Sequence, residues 1–342
     1  MRKIKVVQIG LGHDHAYPMF DSMLYQKDIF DVVGFAVPET EKKDFSELVK
    51  HYREIGIPFY ENVEDALAIE GLDGAVIETE EENLTKCAIM AAERGLHIHM
   101  DKPGGLDADE FEKLIEIVKS KKLVFSTGYI YRFNPVVREA IDKIKSGELG
   151  EIYSIEAHMN CEHKPQKRQW LERFPGGMMF FLGCHLIDLV YQIQGEPEEV
   201  IPLNTSTGGD GVTALDYGMA VFKYKNGVSF VKSCANEPGG FARRQFVICG
   251  TKGTIEIRPL ESRRLRDDVI CYGWQSSKVR EIMASGDWNA DAEFVETDVF
   301  NRYNDIIKNF AEMVCDGKEN PYDYDYERRL HKLILRACGK EI

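Results

Sequence analysis

A lysine between an aspartate and a proline is the residue of this sequence best placed for chemistry. Asp101-Lys102-Pro103 follows the apolar run Leu96–Met100, which predicts a β-strand, and precedes a helical pattern. The carboxyl end of a strand is where open α/β sheets bind ligands, and a following proline disfavours the α conformation at Lys102. A partly desolvated lysine releases its proton more easily, so we expect Lys102 to exchange a proton with a substrate hydroxyl. A solvated lysine at a strand end is the alternative.

A turn with two glycines follows the first predicted strand, Ile4–Ile9. Its sequence is Gly10-Leu11-Gly12-His13-Asp14-His15. The glycines stand where a dinucleotide fold needs a tight turn and a close approach of the backbone to a pyrophosphate at a helix N-terminus. We therefore expect a nicotinamide dinucleotide to be bound by Gly10, Leu11, Gly12, His13 and His15, although His15 replaces the third glycine of the usual pattern. A simple strand–helix turn is the alternative.

The end of the second predicted strand bears on which dinucleotide binds. An acid at that point bonds the ribose hydroxyls in NAD-binding folds, but here the strand ends at Val37 and the nearest acid is Glu39. We expect Glu39 to take this role from the following loop and to repel a 2′-phosphate. NAD is therefore favoured over NADP, while Lys42 and Lys43 keep NADP open.

A histidine early on a later apolar helix is the second candidate for proton transfer. His185 follows Gly176-Gly177 and lies near the start of a helix predicted from about residue 182 to 194. Its reference pKa near neutrality suits a general base. A histidine satisfied within the core is the alternative. Asp188, three residues on, is expected to have a structural role first.

Substrate contacts are expected from a few polar and aromatic residues around the start of the second half. A polyol would suit the hydrogen-bonding groups and aromatic plane offered by Tyr129, His158, Arg168 and Trp170. Arg168 could instead pair with a carboxylate or phosphate. Packing residues or a solvated loop are the alternative. Imidazole also binds transition metals, which would involve His13, His15, His158 or His163, but no ligand set of known spacing contains them, and we expect no metal.

Two different patterns of predicted strands and helices along the chain indicate two domains. Short β-branched runs alternate with helical patterns from residue 4 to about 127, which predicts an α/β fold with a doubly wound parallel sheet. From Glu151 onward, consecutive short strands predict a mainly antiparallel sheet in an α+β domain. We expect a dinucleotide-binding domain over residues 1–128 and a domain for substrate binding and oligomerisation over 129–342. Two C-terminal helices, about 300–315 and 324–338, are candidates to pack back on the first domain.

Composition excludes several classes of function. The formal net charge of −14 argues against nucleic-acid binding and against docking on anionic membranes. No apolar run approaches the roughly 18 residues that a membrane helix needs, and Met-Arg-Lys-Ile-Lys reads as the start of a strand. Eight cysteines without a CxxC pair predict reduced, mostly buried thiols and hence a cytoplasmic protein.

Taken in order, these motifs resemble the glucose-fructose oxidoreductase, inositol dehydrogenase and MocA family. The resemblance rests on the following segments: Gly10-x-Gly12, Asp101-Lys102-Pro103, Tyr131-Arg132-Phe133-Asn134-Pro135, Gly147–Glu151, Gly176-Gly177 and Gly183-Cys184-His185-Leu186-Ile187-Asp188. It implies a two-domain oxidoreductase that uses NAD(P) on a carbinol of a sugar, cyclitol or related polyol. Lys102 would polarise or protonate the substrate oxygen, His185 would exchange the proton, and the enzyme would be a homodimer or homotetramer.

The resemblance also locates further contacts and departures. It implies that Asp101 and Thr79 lie beside the cofactor, Thr79 in an acidic segment, Glu78–Glu82, that we otherwise expect to be a solvated loop. Phe181 stands where the family carries an aspartate of the active site, and Asp101 replaces a glutamate. These departures support an alternative, a catalytically impaired member that acts as a ligand or cofactor sensor or as a scaffold.

Overall fold

The chain folds into two compact units. The computed structural model describes residues 2–266 and 269–342, and no side chain within 263–272. The first unit contains the residues up to Tyr129 together with Tyr303–His331, and the second contains Ile130–Arg302 and Lys332–Ile342.

A six-stranded parallel sheet forms the centre of the first unit. Its strands are β1 (Ile4–Ile9), β2 (Phe30–Ala36), β3 (Phe59–Tyr60), β4 (Gly74–Ile77), β5 (His97–Met100) and β6 (Phe125–Thr127). They lie in the order β3-β2-β1-β4-β5-β6, and each pairs in parallel with its neighbour. Chain order reverses between β1 and β4, which is where such sheets hold their ligands. The predicted parallel sheet is confirmed.

Five helices connect these strands. They are α1 (Ala16–Tyr25), α2 (Ser46–Glu54), α3 (Val63–Leu67), α4 (Leu84–Glu93) and α5 (Ala108–Ser120). The sequence pattern missed β3 and α3, since two and five residues are too few to show a period. It located β1 to the residue, because a central strand is buried on both faces and is therefore mostly apolar.

An eight-stranded, mainly antiparallel sheet dominates the second unit. The strands of this unit are β7 (Ile152–Asn160), β8 (Glu199–Pro202), β9 (Tyr217–Lys223), β10 (Val228–Cys234), β11 (Gln245–Gly250), β12 (Gly253–Ile257), β13 (Ser262–Arg266), β14 (Val269–Ser276), β15 (Lys278–Met283), β16 (Val295–Glu296) and β17 (Phe300–Asn301). The large sheet has the order β16-β15-β12-β11-β7-β10-β9-β8, and β13, β14 and β17 form a smaller one. Only the β7–β10 pairing in the large sheet is parallel.

Three helices of the second unit follow from local sequence signals. They are α6 (Pro135–Lys145), α7 (Pro165–Trp170) and α8 (Cys184–Gln194). At the start of α6, the Asn134 side chain accepts hydrogen bonds from the N–H groups of Val136 and Val137, at 3.0 and 3.3 Å. This N-cap and the proline at the first helical position together begin the helix. A π-helical turn, Met179–Gly183, leads directly into α8.

The last two helices are α9 (Asn304–Asp316) and α10 (Tyr324–Ala337). α9 packs against α1 and against the sheet strands β1 and β5. The Asn304 side chain accepts from the Ser22 hydroxyl at 2.7 Å, and the Thr127 hydroxyl donates to Glu327 at 2.7 Å. The part of α10 up to His331 belongs to the first unit and the rest to the second. A helix from the end of the chain thus covers one face of the first unit's sheet.

The cysteines with described side chains carry no disulfide. Seven are free, of which Cys249 and Cys315 are half-buried and the others are buried, whereas the side chain of Cys271 lies outside the described part. Among the described residues, no helix combines the length and apolar character needed to cross a bilayer.

Candidate active site

The glycine loop turns sharply at the carboxyl end of β1. Gly10 has φ +91°, a left-handed conformation, and a Cβ built on it would lie 2.5 Å from the backbone of Thr79, the second residue after β4. Only glycine satisfies both conditions. The loop therefore lies tight against the segment that follows β4, with Thr79 in contact with Gly10.

The two histidines of the loop point into the first unit instead of away from it. His13 and His15 are 3% and 6% exposed. Nδ1 of His13 lies 3.0 Å from an Asp101 carboxylate oxygen, and Nδ1 of His15 lies 3.1 Å from the same oxygen. His13 Nε2 lies 3.0 Å from the Lys102 carbonyl oxygen, which can only accept, so this ring nitrogen carries a proton. The loop is thereby tied to Asp101-Lys102 at the end of β5.

Their backbone amides are used within the protein. The N–H of His13 donates to the Glu78 carbonyl at 3.1 Å, and the N–H of His15 donates to Nδ1 of His13 at 3.1 Å. Burial lowers the pKa of His15 to about 4 despite the opposing effect of Asp101. These two residues therefore support the loop from inside, and the expectation that they contact the cofactor directly is not what the geometry favours.

Two glutamates of the acidic segment after β4 join the histidines. Glu78 and Glu81 are 0% and 3% exposed, so the expectation of a solvated loop is wrong for them. Carboxylate oxygens of Glu78 and Glu81 lie 4.0 and 3.8 Å from the His13 ring nitrogens. Burial raises the pKa of both carboxyls, and the nearby charge of Asp101 raises that of Glu78 further. Sequence reasoning missed them because a run of acids is usually solvated.

Lys102 completes what we call the glycine-loop cluster, which consists of His13, His15, Glu78, Glu81, Asp101 and Lys102. Lys102 is 1% exposed. Its ammonium charge opposes the rise in the pKa of Glu78 and of Glu81, because this charge lies close to both carboxyls. Its N–H donates to Asp101 at 2.6 Å. Burial alone would raise the pKa of Asp101, but His13 and His15 hold it well below its usual range. The sequence-predicted lysine is therefore buried among acids.

The loop after β2 places a different acid at the glycines than the one predicted. Glu39 is largely exposed and pairs with Lys42 at 2.6 Å. Glu41 is 1% exposed, and one of its oxygens accepts from the Glu80 N–H at 2.9 Å and the Asn83 side chain at 2.8 Å. Its other oxygen has no donor among the described residues and would lie 2.6 Å from a Cβ on Gly12. Burial raises the pKa of Glu41 to about 7.

These residues fit a nicotinamide dinucleotide. The loop has the sharp glycine turn and the following helix that a pyrophosphate requires. The orphaned oxygen of Glu41 beside Gly12 is an acceptor that a ribose hydroxyl would satisfy. The residue that sequence reasoning missed, Glu41, therefore answers the requirement for an acid better than Glu39 does.

His185 lies in the first turn of α8 in the second unit. It is 1% exposed, and its ring meets that of Tyr131 edge to face with centroids 5.1 Å apart. Asp188, one turn on, accepts from the Arg132 guanidinium at 2.8 Å and from the Gln192 side chain at 2.9 Å. The structural role expected for Asp188 is confirmed by these contacts.

Tyr131, the residue beside His185, belongs to the Tyr131 cluster, which consists of Tyr131, Arg244, Glu261 and Arg302. The Tyr131 hydroxyl donates to Glu261 at 2.6 Å, Arg302 pairs with the same carboxylate at 2.6 Å, and Arg244 also pairs with it. Burial would raise the pKa of Glu261, but the two arginines outweigh it and lower the pKa to about 2. The Tyr131 ring is thus held firmly against His185.

Phe181 lies in an aromatic group. Its ring stacks on Phe174 with centroids 5.9 Å apart and meets Trp170 edge to face at 5.3 Å. The Lys167 ammonium lies 3.6 Å from the centroid of Trp170 and 4.8 Å from that of Phe181. Trp170, predicted to contact substrate, is therefore half-buried between a cation and two rings. An aspartate in place of Phe181 would lose this stacking.

The remaining predicted substrate contacts have partners within their own units. Arg168 is 1% exposed and pairs with Asp216 at 3.1 Å and with Asp210, so its guanidinium has two carboxylate partners where a substrate anion was expected. We drop Arg168 as a substrate ligand for this reason. Tyr129 is buried in the first unit. His158 lies on the half-exposed face of β7, 5.6 Å from the Phe230 ring.

Family models match both parts of the chain. Residues 4–129 match the oxidoreductase family with an NAD-binding Rossmann fold, and residues 137–256 match the GFO/IDH/MocA C-terminal domain. Solved structures share the fold across nearly the whole chain. A putative NADPH-dependent oxidoreductase from Desulfitobacterium hafniense has a TM-score of 0.79 at 18% identity and covers 99% of this chain and 95% of its own. An aldose-aldose oxidoreductase from Caulobacter crescentus has a TM-score of 0.77 at 18% identity, with coverage of 99% and 98%.

Curated relatives are similar over part of their length. D-xylose 1-dehydrogenase (NADP(+)) 2 of Haloferax volcanii is 26% identical over 60% of this chain and 63% of its own. Rhizopine catabolism protein MocA of Rhizobium meliloti is 28% identical over 41% and 44%, and scyllo-inositol 2-dehydrogenase (NAD(+)) of Bacillus subtilis is 25% identical over 62% and 63%. The chain thus spans about half to two thirds of the length of these relatives. With a family model matching each of its two parts, the chain belongs to the Gfo/Idh/MocA oxidoreductase family.

Proposed function

We propose that this protein transfers hydride between a nicotinamide dinucleotide, NAD in preference to NADP, and a carbinol carbon of a sugar, cyclitol or related polyol. The observation that carries the proposal is the 3.0 Å contact between the His13 ring and the Lys102 carbonyl. It puts the expected proton-carrying residue against the loop expected to hold the dinucleotide. The names of the relatives, two of which are a xylose and an inositol dehydrogenase, support the substrate class.

The first unit would hold the dinucleotide through the end of β1 and the loops beside it. Leu11 and Gly12 would offer backbone to the pyrophosphate at the start of α1. Glu41 would accept a ribose hydroxyl through its orphaned oxygen, and an ionised carboxylate there disfavours a 2′-phosphate, which supports NAD. Thr79 would border the cofactor, since it packs against Gly10.

When bound, the nicotinamide supplies the acceptor for a hydride from the carbinol carbon. The protein must then manage the hydroxyl proton that is released as the carbonyl forms. We assign proton exchange with the substrate oxygen to Lys102 and His185, as the family resemblance implies. The Tyr131 ring would fix the orientation of His185, because Tyr131 is itself held by Glu261.

The experiment uses the full chain purified without an affinity tag. Reduced nicotinamide is followed by absorbance with NAD and with NADP over a panel of aldoses, inositols and alditols. Lys102→Ala and His185→Ala should each lower kcat by about 100-fold or more, while fluorescence titration still shows NADH binding. Lys119→Ala, a substitution on the exposed face of α5, is the matched control and should be as active as the wild type.

Two results would overturn parts of this proposal. Full activity in either variant removes that residue from the proton transfer. Absence of NADH binding at millimolar concentration removes the oxidoreductase assignment and favours the sensor or scaffold suggested by Phe181.

We also propose a cytoplasmic homodimer or homotetramer. Light scattering of the purified chain gives the mass directly, and a monomer mass would be the contrary result.

A further inference from the structure

We propose that His13, His15 and Asp101, with Glu78 as a fourth ligand, bind a divalent transition metal ion, for which Zn²⁺ fits best. The site lies inside the first unit, beneath the glycine loop. It is separate from the hydride transfer proposed above and does not depend on it.

The ligand atoms already converge. One ring nitrogen each of His13 and His15 and an Asp101 carboxylate oxygen all lie within 4.8 Å of one another, and all three residues are buried. The Asp101 oxygen is 3.0 Å from one ring nitrogen and 3.1 Å from the other. Tetrahedral zinc, with bonds of about 2.0 to 2.1 Å, holds its ligand atoms about 3.4 Å apart. Small shifts would therefore admit the ion.

Nδ1 of His13 lies between a backbone N–H and a carboxylate. Nε2 carries the proton because the Lys102 carbonyl at 3.0 Å can only accept. Nδ1 also accepts the N–H of His15 at 3.1 Å. The Asp101 oxygen lies 3.0 Å from the same nitrogen, so a metal ion bound between these two atoms would replace the His15 N–H as the partner of Nδ1. A ring N–H donated to a backbone carbonyl is also the usual support for a metal-bound histidine.

Glu78 is a second observation that points to a cation ligand. Its side chain is fully buried, and neither of its carboxylate oxygens has a hydrogen-bond donor among the described residues. One of these oxygens lies 4.0 Å from Nδ1 of His13. A buried carboxylate without donors is costly, and metal coordination is one of the few ways to compensate it. Two imidazoles and two carboxylates form a set of nitrogen and oxygen ligands that suits Zn²⁺ in a closed, structural site.

The ion would join three separate segments. His13 and His15 come from the turn after β1, Glu78 follows β4 directly, and Asp101 follows β5 directly. Coordination would lock the glycine loop and the Lys102 backbone to the same edge of the sheet. We therefore expect the metal to stabilise the first unit and to pre-order the dinucleotide loop.

The test measures metal in untagged protein and in protein reloaded after chelation. Wild type should retain about one zinc per chain, and cobalt(II) added to chelated protein should give the visible d–d absorption of a four-coordinate site with nitrogen and oxygen ligands. His13→Ala and His15→Ala should lower zinc affinity by about tenfold or more. His51→Ala, a substitution of an exposed histidine on α2, is the matched control and should bind like the wild type.

Where the alanine variants do not fold, zinc-edge X-ray absorption of the wild type decides, with two imidazoles in the first shell as the expected result. The proposal is overturned by wild type that neither retains zinc nor shows the cobalt spectrum. It is equally overturned by folded His15→Ala that binds zinc as tightly as His51→Ala. Zinc binding without dinucleotide binding would refute the proposed function and leave the metal site standing.

Discussion

Both units bury charged groups at similar depth, but the pKa of a central carboxyl group shifts in opposite directions in the two. In the Tyr131 cluster, one carboxylate meets two guanidinium groups and a hydroxyl, and the pKa of Glu261 falls to about 2. In the glycine-loop cluster, three carboxylates share one ammonium and two imidazoles, and the pKa of Glu78 rises. The first arrangement pairs its carboxylate with two cations and a hydroxyl, and it serves to position Tyr131. In the second, neither carboxylate oxygen of Glu78 has a hydrogen-bond donor among the described residues, which is unusual for a buried carboxylate and typical of a functional site.

The largest effect is expected from breaking a completed pair in the second unit. Arg132→Ala leaves Asp188 buried with its strongest partner gone, which should lower the free energy of unfolding by about 3 to 5 kcal/mol. Urea denaturation of the variant measures this. Arg243→Ala, which removes an exposed arginine paired with Glu237, should change the value by less than about 1 kcal/mol. Equal losses of unfolding free energy in the two variants would contradict the expected difference between a buried and an exposed ion pair.

Glu261→Gln should cost about 3 kcal/mol at neutral pH, because a pKa lowered from 4.5 to about 2 stabilises the folded state while the carboxylate is ionised. A lowered pKa contributes stability that is fully present above 4.5 and is lost as the pH falls toward 2. The gap between wild type and variant should therefore close over that interval. Urea unfolding at a series of pH values measures the gap, and a constant gap would refute the role of the arginines.

Glu41 should show the opposite pH dependence. Its pKa is raised to about 7, so the folded state favours the protonated form, and stability falls as the pH rises from 4.5 through 7. Glu41→Gln removes this loss and should be more stable than wild type by about 2 kcal/mol at pH 8, since a loop carboxyl recovers part of the cost by turning toward water. Thermal unfolding at pH 5 and pH 8 tests it. A variant less stable than wild type at pH 8 would be the contrary finding.

The smallest effect concerns the choice of dinucleotide. Glu41→Ala should raise the KM for NAD about tenfold and leave that for NADP nearly unchanged, because one hydrogen bond to a charged acceptor is lost. Glu39→Ala is the matched control and should alter neither constant, since Glu39 faces solvent and pairs with Lys42. A larger rise in the KM for NAD in Glu39→Ala than in Glu41→Ala would indicate that Glu39 binds the ribose.

Local pattern was sufficient for most of the fold and for part of the site. The boundaries of β1, the Asn134 cap of α6 and the turn Lys225–Gly227 between β9 and β10 all depend on residues adjacent in sequence. The glycine turn and Asp101-Lys102 at the end of β5 followed from the same kind of signal. Such features are visible because periodicity, capping and turn chemistry act over a few residues.

The sequence by itself determined most strands of the first unit, their alternation with helices, and the position of a lysine and a glycine loop at strand ends. Only the tertiary structure decided that His13 and His15 turn inward to Asp101, that Glu78 and Glu81 are buried, and that Glu41 replaces Glu39 beside Gly12. Side-chain direction and burial depend on partners distant in sequence, as when residues 13, 78 and 101 meet at one sheet edge. No local pattern encodes such a meeting, because it arises from the order in which parallel strands lie side by side.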